Sequence, residues 1–145
     1  MANPAKVALL FLRALATIAM LDAAPAAASE GLKMPSNNIV CILEDTDGAA
    51  AALRCDVANL TTTRLRAPKD CHLGWGDAFE IGADGKSGAR ICHGDTIMHE
   101  DVSVAPYGTT WQHGGFTCRS LPSGLTCTNA TGHGFSLSRS AQRMF

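Results

Sequence analysis

Histidines are the residues of this 145-residue chain whose chemistry could operate at neutral pH, and two of the five directly follow cysteines, in Cys71-His72 and Cys92-His93. If these cysteines are joined, both imidazoles lie beside the bridge, where they could bind Zn²⁺ or Cu²⁺. The candidate metal ligands are His72, His93, Asp95, His99 and His133. No CxxC or HExxH spacing is present, and a cysteine in a disulfide cannot bind a metal as a thiolate. Polar surface residues are therefore the simpler interpretation, and we assign no metal and no cofactor.

A hydrolase is the second chemistry that these residue types permit. Asp95 could orient His133, and Thr96 or Ser136 could act as the nucleophile beside it. The chain lacks a Gly-x-Ser-x-Gly turn, and an Asx turn explains Asp95 equally well. We therefore assign no catalytic residue, and a small secreted hydrolase remains an alternative.

Aromatic side chains offer a third possibility, a platform for a glycan or a peptide. Trp75 stands between two glycines and is interpreted as core, whereas Trp111 has polar neighbours and is the better exposed candidate. Glycines around residues 94–96 and 132–134 would let a ligand approach the backbone. The predicted binding surface comprises Asp95, Thr96, Trp111 and His133.

The elements that must position these residues are short strands. Turn signals recur about every ten residues, including Asp47-Gly48, Asp84-Gly85, Pro106-Tyr107-Gly108, Gly114-Gly115 and Pro122-Ser123-Gly124. Between them, Phe79 alternates with Ile81 and Phe135 with Leu137. Residues 49–53 could form one helical turn or the arm of a hairpin. The pattern predicts an all-β fold, a small disulfide-linked sandwich or barrel of short antiparallel strands.

Six cysteines, all beyond residue 40, predict three disulfides in an oxidising compartment. A two-residue turn at Pro122-Ser123 would place Cys118 directly opposite Cys127, at a separation that a small adjustment would bridge. A type I turn with Gly124 as a bulge would instead shift this pairing by one residue. Fifteen connectivities are possible, and local symmetry favours Cys41–Cys55, Cys71–Cys92 and Cys118–Cys127.

The first 28 residues predict a cleavable Sec-type signal peptide. Lys6 precedes residues 7–21, which are apolar except for Arg13, and Ala26-x-Ala28 fits the rule for signal peptidase. A membrane anchor is the alternative, but a span needs about 20 uninterrupted apolar residues. We expect cleavage near Ala28, one domain over residues 29–145 with no transmembrane segment, and a periplasmic or secreted product.

The charge of the chain is nearly balanced, with a formal net value of −1. This balance gives no electrostatic reason to expect nucleic acid or an anionic membrane surface as a partner. An envelope protein or a glycan is compatible with it, and the sequence names neither.

A series of short motifs covers residues 35–145. The series consists of Pro35-Ser36-Asn37-Asn38-Ile39-Val40-Cys41, Leu53-Arg54-Cys55-Asp56, Cys71 with Trp75-Gly76, Cys92-His93-Gly94-Asp95-Thr96, Pro106-Tyr107-Gly108, Phe116-Thr117-Cys118, Gly124-Leu125-Thr126-Cys127 and Gly132-His133-Gly134-Phe135. In these motifs the chain resembles the exported bacterial domain-of-unknown-function family 6636. It departs from the family pattern at Asn37, where the family has glycine, and residues 140–145 carry no family motif. The resemblance implies a secreted or periplasmic domain and brings no activity with it.

The sequence therefore favours an exported module with a binding or envelope-associated role and no catalysis. The alternatives are a histidine-rich periplasmic metal-binding protein and the small secreted hydrolase. Neither alternative has a motif of its own in the sequence.

Overall fold

The computed structural model describes residues 30–46, 49–62 and 65–145. The predicted signal peptide and the turn Asp47-Gly48 lie outside these residues. The described part of the chain is built from strands and turns, and it contains no helix. Accordingly, none of its segments is a helix with the length and apolarity needed to cross a membrane.

Eleven strands form two separate sheets. The first sheet contains β1 (Gly31–Lys33), β2 (Ile39–Thr46), β3 (Ala49–Val57), β4 (Gly74–Gly82), β5 (Ala89–His93) and β6 (Ser103–Val104), in the order β5-β4-β3-β2-β1-β6. The second contains β7 (Thr110–His113), β8 (Phe116–Leu121), β9 (Gly124–Thr128), β10 (Gly134–Leu137) and β11 (Gln142–Met144), in the order β11-β10-β9-β8-β7. The predicted all-β fold class is confirmed. Residues 49–53 belong to β3, so they form a hairpin arm and not a helical turn.

The two sheets pack face to face, so the molecule is a sandwich and not a barrel. Strand alternation places Phe79 and Ile81 of β4 on the inner face of the first sheet, and Phe135 and Leu137 of β10 on the inner face of the second. The rings of Phe79 and Phe135 meet with centroids 6.4 Å apart. All four side chains are at most 1% exposed, so both alternations predicted from the sequence are confirmed.

Two of the three disulfides lie inside this core. Cys41–Cys55 joins β2 to β3, and Cys118–Cys127 joins β8 to β9. In each pair the cysteines are directly opposite across the two strands, with Cα atoms 4.0 and 4.1 Å apart. The Cys127 sulfur lies within 4.8 Å of both sulfurs of the other bridge, so the two disulfides contact each other between the sheets.

The hairpin between β8 and β9 has the two-residue turn of the first sequence alternative. Leu121 faces Gly124, which puts Cys118 in register with Cys127 without the one-residue shift. The third bridge, Cys71–Cys92, ties the segment that precedes β4 to β5. All three pairs are those favoured by local symmetry.

One strand pair is parallel, which the sequence did not indicate. β6 pairs with β1 in parallel because residues 94–102 carry the chain from β5, at one edge of the first sheet, to the opposite edge. Ile97 and Val102 of this crossing pack on Val40, on the face turned away from the main core. The crossing covers the middle of an otherwise open sheet face.

A candidate ligand-binding groove at a bulge in β4

An irregularity in β4 creates the most distinctive local geometry of the molecule. Trp75 pairs with Cys92 and Phe79 pairs with Arg90, so residues 76–78 of β4 lie opposite Ile91 alone. Gly76 has a φ of +120°, in a region that glycine adopts at little cost. Such bulges turn side chains away from the regular alternation. Here the bulge brings Asp77 to His93 of the neighbouring strand.

His93 and Asp77 form a hydrogen-bonded pair at this bulge. The His93 Nε2 lies 2.8 Å from the Asp77 Oδ1, and the side chain of His93 is only 7% exposed, against 48% for Asp77. Gly74 makes room for the ring, since a Cβ there would come within 2.9 Å of His93 Cε1 and Nε2. A neutral imidazole donates Nε2–H to the carboxylate and keeps Nδ1 as an acceptor. Within the described residues, this buried Nδ1 has no hydrogen-bond partner.

Arg90 lies on the same strand as His93 and is held in place from two sides. Its guanidinium lies 4.7 Å from the centre of the Phe79 ring, and its Nη1 donates to the Gly76 carbonyl oxygen. Partial burial lowers the pKa of Arg90, and the nearby charge of Asp77 acts in the opposite direction. An arginine stays charged under these conditions. No described residue accepts a hydrogen bond from its Nε or Nη2.

These residues line an open groove of about 810 Å³. Its other walls come from the segment that follows β3 and from the start of β4, and its apolar lining residues include Val57, Leu60, Leu65, Leu73 and Trp75. Leu65 and Leu73 are 52% and 66% exposed, and both belong to this lining. The Trp75 Nε1 is buried without a partner among the described residues. The volume lies within the range of small-molecule sites.

The five candidate metal ligands do not meet in the described structure. His72 and His99 are exposed, His93 is paired with Asp77, and the ring of His133 contacts the Thr131 hydroxyl 3.0 Å from Nδ1. Among residues 30–46, 49–62 and 65–145, the one group of three potential ligand atoms within 4.8 Å consists of disulfide sulfurs. The metal site stays a prediction from the sequence.

The residues considered for a hydrolase are likewise separate. The ring partner of His133 is Thr131, whereas Ser136 shares a hydrogen bond of 2.7 Å with Thr126. Thr96 donates its hydroxyl hydrogen to Asp56 at 3.1 Å. In the described part of the chain, neither hydroxyl is hydrogen-bonded to an imidazole.

Asp95 and Thr96 of the predicted binding surface belong to the start of the crossing that leaves β5. Asp56, only 2% exposed, accepts hydrogen bonds from the Thr96 hydroxyl and from the Ile97 amide, at 3.1 and 3.0 Å. Arg54 binds the same carboxylate and also donates to the Asp95 carbonyl oxygen, at 2.7 Å. The crossing is thus anchored by a buried carboxylate, and the Asp95 side chain faces outwards.

Trp111 and His133, the other members of that surface, lie on the second sheet. Trp111 is half-buried against the main core and stacks on His113, with centroids 6.0 Å apart. His133 is part of the turn that Asn129 organises between β9 and β10. In the described structure no hydrogen bond or ring contact joins Asp95 or Thr96 to Trp111 or His133, and the surface remains a prediction.

The sequence singled out His93 but not its partner Asp77 or the neighbouring Arg90. The available signal was the pair of glycines around Trp75, since glycine within a strand often marks a bulge or a close backbone approach. Sequence reasoning used these glycines only to place Trp75 in the core. The structure instead makes Trp75 a half-buried wall of the groove.

Fold and site together define a disulfide-linked β-sandwich with a groove at one sheet edge. Three disulfides indicate an oxidising environment, such as the periplasm or the outside of the cell. The chain belongs to DUF6636, a family of unknown function whose model matches residues 13–145. No curated protein and no solved structure shows a significant match to it.

Proposed function

We propose that this chain is an exported, non-catalytic binding module that takes its ligand in the groove beside the β4 bulge. The observation that carries the proposal is the lining of the groove, which combines exposed leucines with the Arg90 guanidinium and the hydrogen-bonded pair of His93 and Asp77. The rest of the sandwich supplies a rigid support.

Two kinds of lining atom are energetically unfavourable in an unliganded domain. A buried polar atom without a hydrogen bond costs about 1–3 kcal/mol, and two lining residues carry such an atom, Trp75 at Nε1 and His93 at Nδ1. Apolar surface exposed to water, such as that of Leu65 and Leu73, is unfavourable, and covering it stabilises the complex. A ligand that covers the leucines would remove this apolar surface from water.

The chemistry of the lining supports binding over catalysis. His93 is oriented by a carboxylate, as a general base would be. Among the described lining residues, Thr62 is the one with a hydroxyl group, and this hydroxyl donates a hydrogen bond to the Gln142 Oε1 at 3.2 Å. The groove therefore presents a base without an activated nucleophile beside it.

Export is the other half of the proposal. The predicted signal peptide of residues 1–28 would deliver the chain to the periplasm or to the medium of a bacterial cell, where the three disulfides would form. Residues 29–145 would then act as a single domain. A ligand from the cell envelope, including a glycan or part of an envelope protein, would reach the groove there.

Intact mass spectrometry of the protein purified from the exported fraction of its host tests export. We expect a mass that lacks residues 1–28, within two residues of that cleavage point, and that lacks six hydrogens relative to the reduced chain. A full-length mass, or a mass with free thiols, would contradict the exported form proposed here.

Chemical-shift mapping with mixtures of small acids, alcohols, amines and amides tests the groove. We expect amide shifts at residues 57–62, 73–77 and 90–93. Ala58→Trp should abolish them, because Ala58 is an exposed lining residue whose enlargement fills the groove. Ala130→Trp, at an exposed alanine of the β9–β10 turn, is the matched control and should bind as the wild type does.

Two outcomes would overturn the groove proposal. One is binding that survives Ala58→Trp unchanged. The other is a set of shifts that gathers at Asp95, Thr96, Trp111 and His133, which would move the site to the surface predicted from the sequence.

A further inference from the structure

We infer that the ligand of the groove is an organic anion, a carboxylate on an apolar body, with the carboxylate bound by Arg90. This inference rests on the proposed function, because it names the chemical class of the ligand for the same groove. The contacts of Arg90, the charges of the lining and the exposed leucines each support one part of it.

Arg90 has hydrogen-bonding capacity to spare and a fixed orientation. A guanidinium has five N–H donors, and the described structure uses its Nη1 on the Gly76 carbonyl oxygen. The contact with the Phe79 ring holds the guanidinium in place. A pre-oriented guanidinium with free N–H groups suits a carboxylate, which can accept two parallel hydrogen bonds from it.

The charge balance of the lining favours an anion. Four lining residues carry titratable side chains: Arg66, Asp77, Arg90 and His93. Asp77 is the one carboxylate among them, and its Oδ1 already accepts the hydrogen bond from His93. The lining therefore carries two guanidinium groups and one carboxylate, which is already hydrogen-bonded to His93. An anionic ligand complements this excess of positive charge.

The exposed leucines define the rest of the ligand. A small inorganic anion would leave Leu65 and Leu73 uncovered, whereas an alkyl or aryl body would lie against them and against Leu60. Burial of such apolar surface contributes about 25 cal/mol for each Å² removed from water. The volume of about 810 Å³ accommodates a chain of moderate length.

Calorimetric titration with decanoate, decanol and decylamine, each below its micelle concentration, tests the inference. The three probes share one apolar body and differ in the charge of the head group. We expect decanoate to bind at least about tenfold more tightly than decanol, since a hydrogen bond to a charged group contributes more than one to a neutral group. We expect no binding of decylamine.

Substitutions locate the anion site. Arg90→Gln should weaken decanoate binding at least about tenfold and leave decanol binding unchanged. Arg66→Gln, at an exposed position that folding does not depend on, should weaken decanoate binding about threefold through lost attraction. Arg119→Gln, an exposed arginine of β8 on the other sheet, is the matched control and should bind decanoate as the wild type does.

The outcomes separate this inference from the proposed function. If decanol binds as tightly as decanoate and Ala58→Trp abolishes both, the groove is a binding site but the anion inference is wrong. If none of the three probes binds, the inference is also wrong, and the shift mapping alone decides the groove. An equal loss in Arg90→Gln and Arg119→Gln would indicate unspecific attraction and overturn the role of Arg90. If Arg90→Gln does not fold, Arg66→Gln decides, and unchanged decanoate binding in that variant overturns the inference.

Discussion

Asp56 shows how one buried carboxylate can organise a segment far away in sequence. It lies on the outer face of β3 and receives hydrogen bonds from Arg54, Thr96 and the Ile97 amide. Thr96 and Ile97 begin the crossing that leads to β6. A buried charge is tolerated only when it is paired and hydrogen-bonded, and Asp56 meets both conditions.

Asp56→Ala should lower the free energy of unfolding by about 3 kcal/mol, because it leaves the buried Ile97 amide without its acceptor and removes the carboxylate that pairs with Arg54. Urea unfolding followed by circular dichroism measures this loss. Asp95→Ala is the matched control, since the described structure uses the Asp95 carbonyl oxygen and leaves the carboxylate exposed. A loss below about 1 kcal/mol in Asp56→Ala would contradict the anchoring role.

The titration of Glu80 should make the free energy of unfolding depend on pH. Glu80 lies across from Arg54 on β4, and its pKa is raised above 4.5, first by burial and then by the charge of Glu44, while Arg54 acts in the opposite direction. A raised pKa means that the folded state binds the proton more tightly than the unfolded state does. The ionised Glu80 therefore disfavours the fold at neutral pH, and this effect disappears as the pH falls through the folded pKa.

Glu80→Gln should accordingly unfold at a slightly higher urea concentration than the wild type at pH 7. Because Glu80 is partly exposed and screened by solvent, we expect a gain of about 0.5 kcal/mol or less. The gain should shrink as the pH approaches 4.5 from above. Asp84→Asn, an exposed carboxylate of the following turn, serves as the control. A gain that grows towards acid pH would show that the sign is wrong.

At the scale of elements, the turn between β4 and β5 depends on a close approach to the second sheet. The Gly88 amide donates to the Gly134 carbonyl oxygen at 3.1 Å, and a Cβ on Gly88 would come within 2.3 Å of that oxygen. Gly134 begins β10, so this contact joins the two sheets outside the apolar core. No side chain fits between the two backbones.

Gly88→Ala should cost about 1–3 kcal/mol of unfolding free energy, because the turn must move away from β10. Gly94→Ala is the matched control. There the nearest atom to an added Cβ is the Leu73 Cδ1, at 4.0 Å, so we expect a change within about 0.5 kcal/mol. Equal unfolding midpoints for the two variants in urea would contradict the close approach.

The elements also show which features the sequence could predict. Local patterns were sufficient for the alternation at Phe79 and Phe135, because strand period involves only neighbouring residues. They located the turn at Pro122-Ser123 but left two forms of it open, and the pairing of Leu121 with Gly124 decides between them. Three disulfides followed from the cysteine count and the small size of the domain. The choice between sandwich and barrel did not follow, since both give the same alternation.

The crossing and the groove could not be predicted because they depend on contacts between distant residues. Asp56 and Ile97 are 41 positions apart, and nothing near Asp56 in sequence identifies its partners. His93 meets Asp77 only because three residues of β4 lie opposite one residue of β5.

At the scale of the whole molecule, the cysteines form cross-links, and the described histidines have separate surroundings. All six cysteines are in disulfides. The histidines of the described residues have different neighbours: His93 pairs with Asp77, His113 lies 2.8 Å from Glu30, and His133 contacts Thr131. A metal ion would have to draw its ligands from separate parts of the surface.

The oxidised protein should therefore unfold at the same temperature, within about 1 °C, with Zn²⁺, with Cu²⁺ or with EDTA. A ligand that binds the native state raises the unfolding temperature in proportion to its binding free energy. Differential scanning calorimetry measures this shift, and Mg²⁺ at the same concentration controls for ionic strength. A rise of several degrees with Zn²⁺ would favour the histidine-rich metal-binding alternative.

The cross-strand positions of the two tryptophans have an optical consequence. Trp75 lies opposite Cys92, and Trp111 lies opposite Cys118, so each tryptophan is the cross-strand partner of a disulfide-bonded cysteine. A disulfide accepts an electron from an excited indole at such short range and thereby quenches its emission. The folded, oxidised domain should fluoresce weakly, and its emission should brighten as the bridges are reduced. The protein thus carries an unlabelled optical reporter of its own oxidation state.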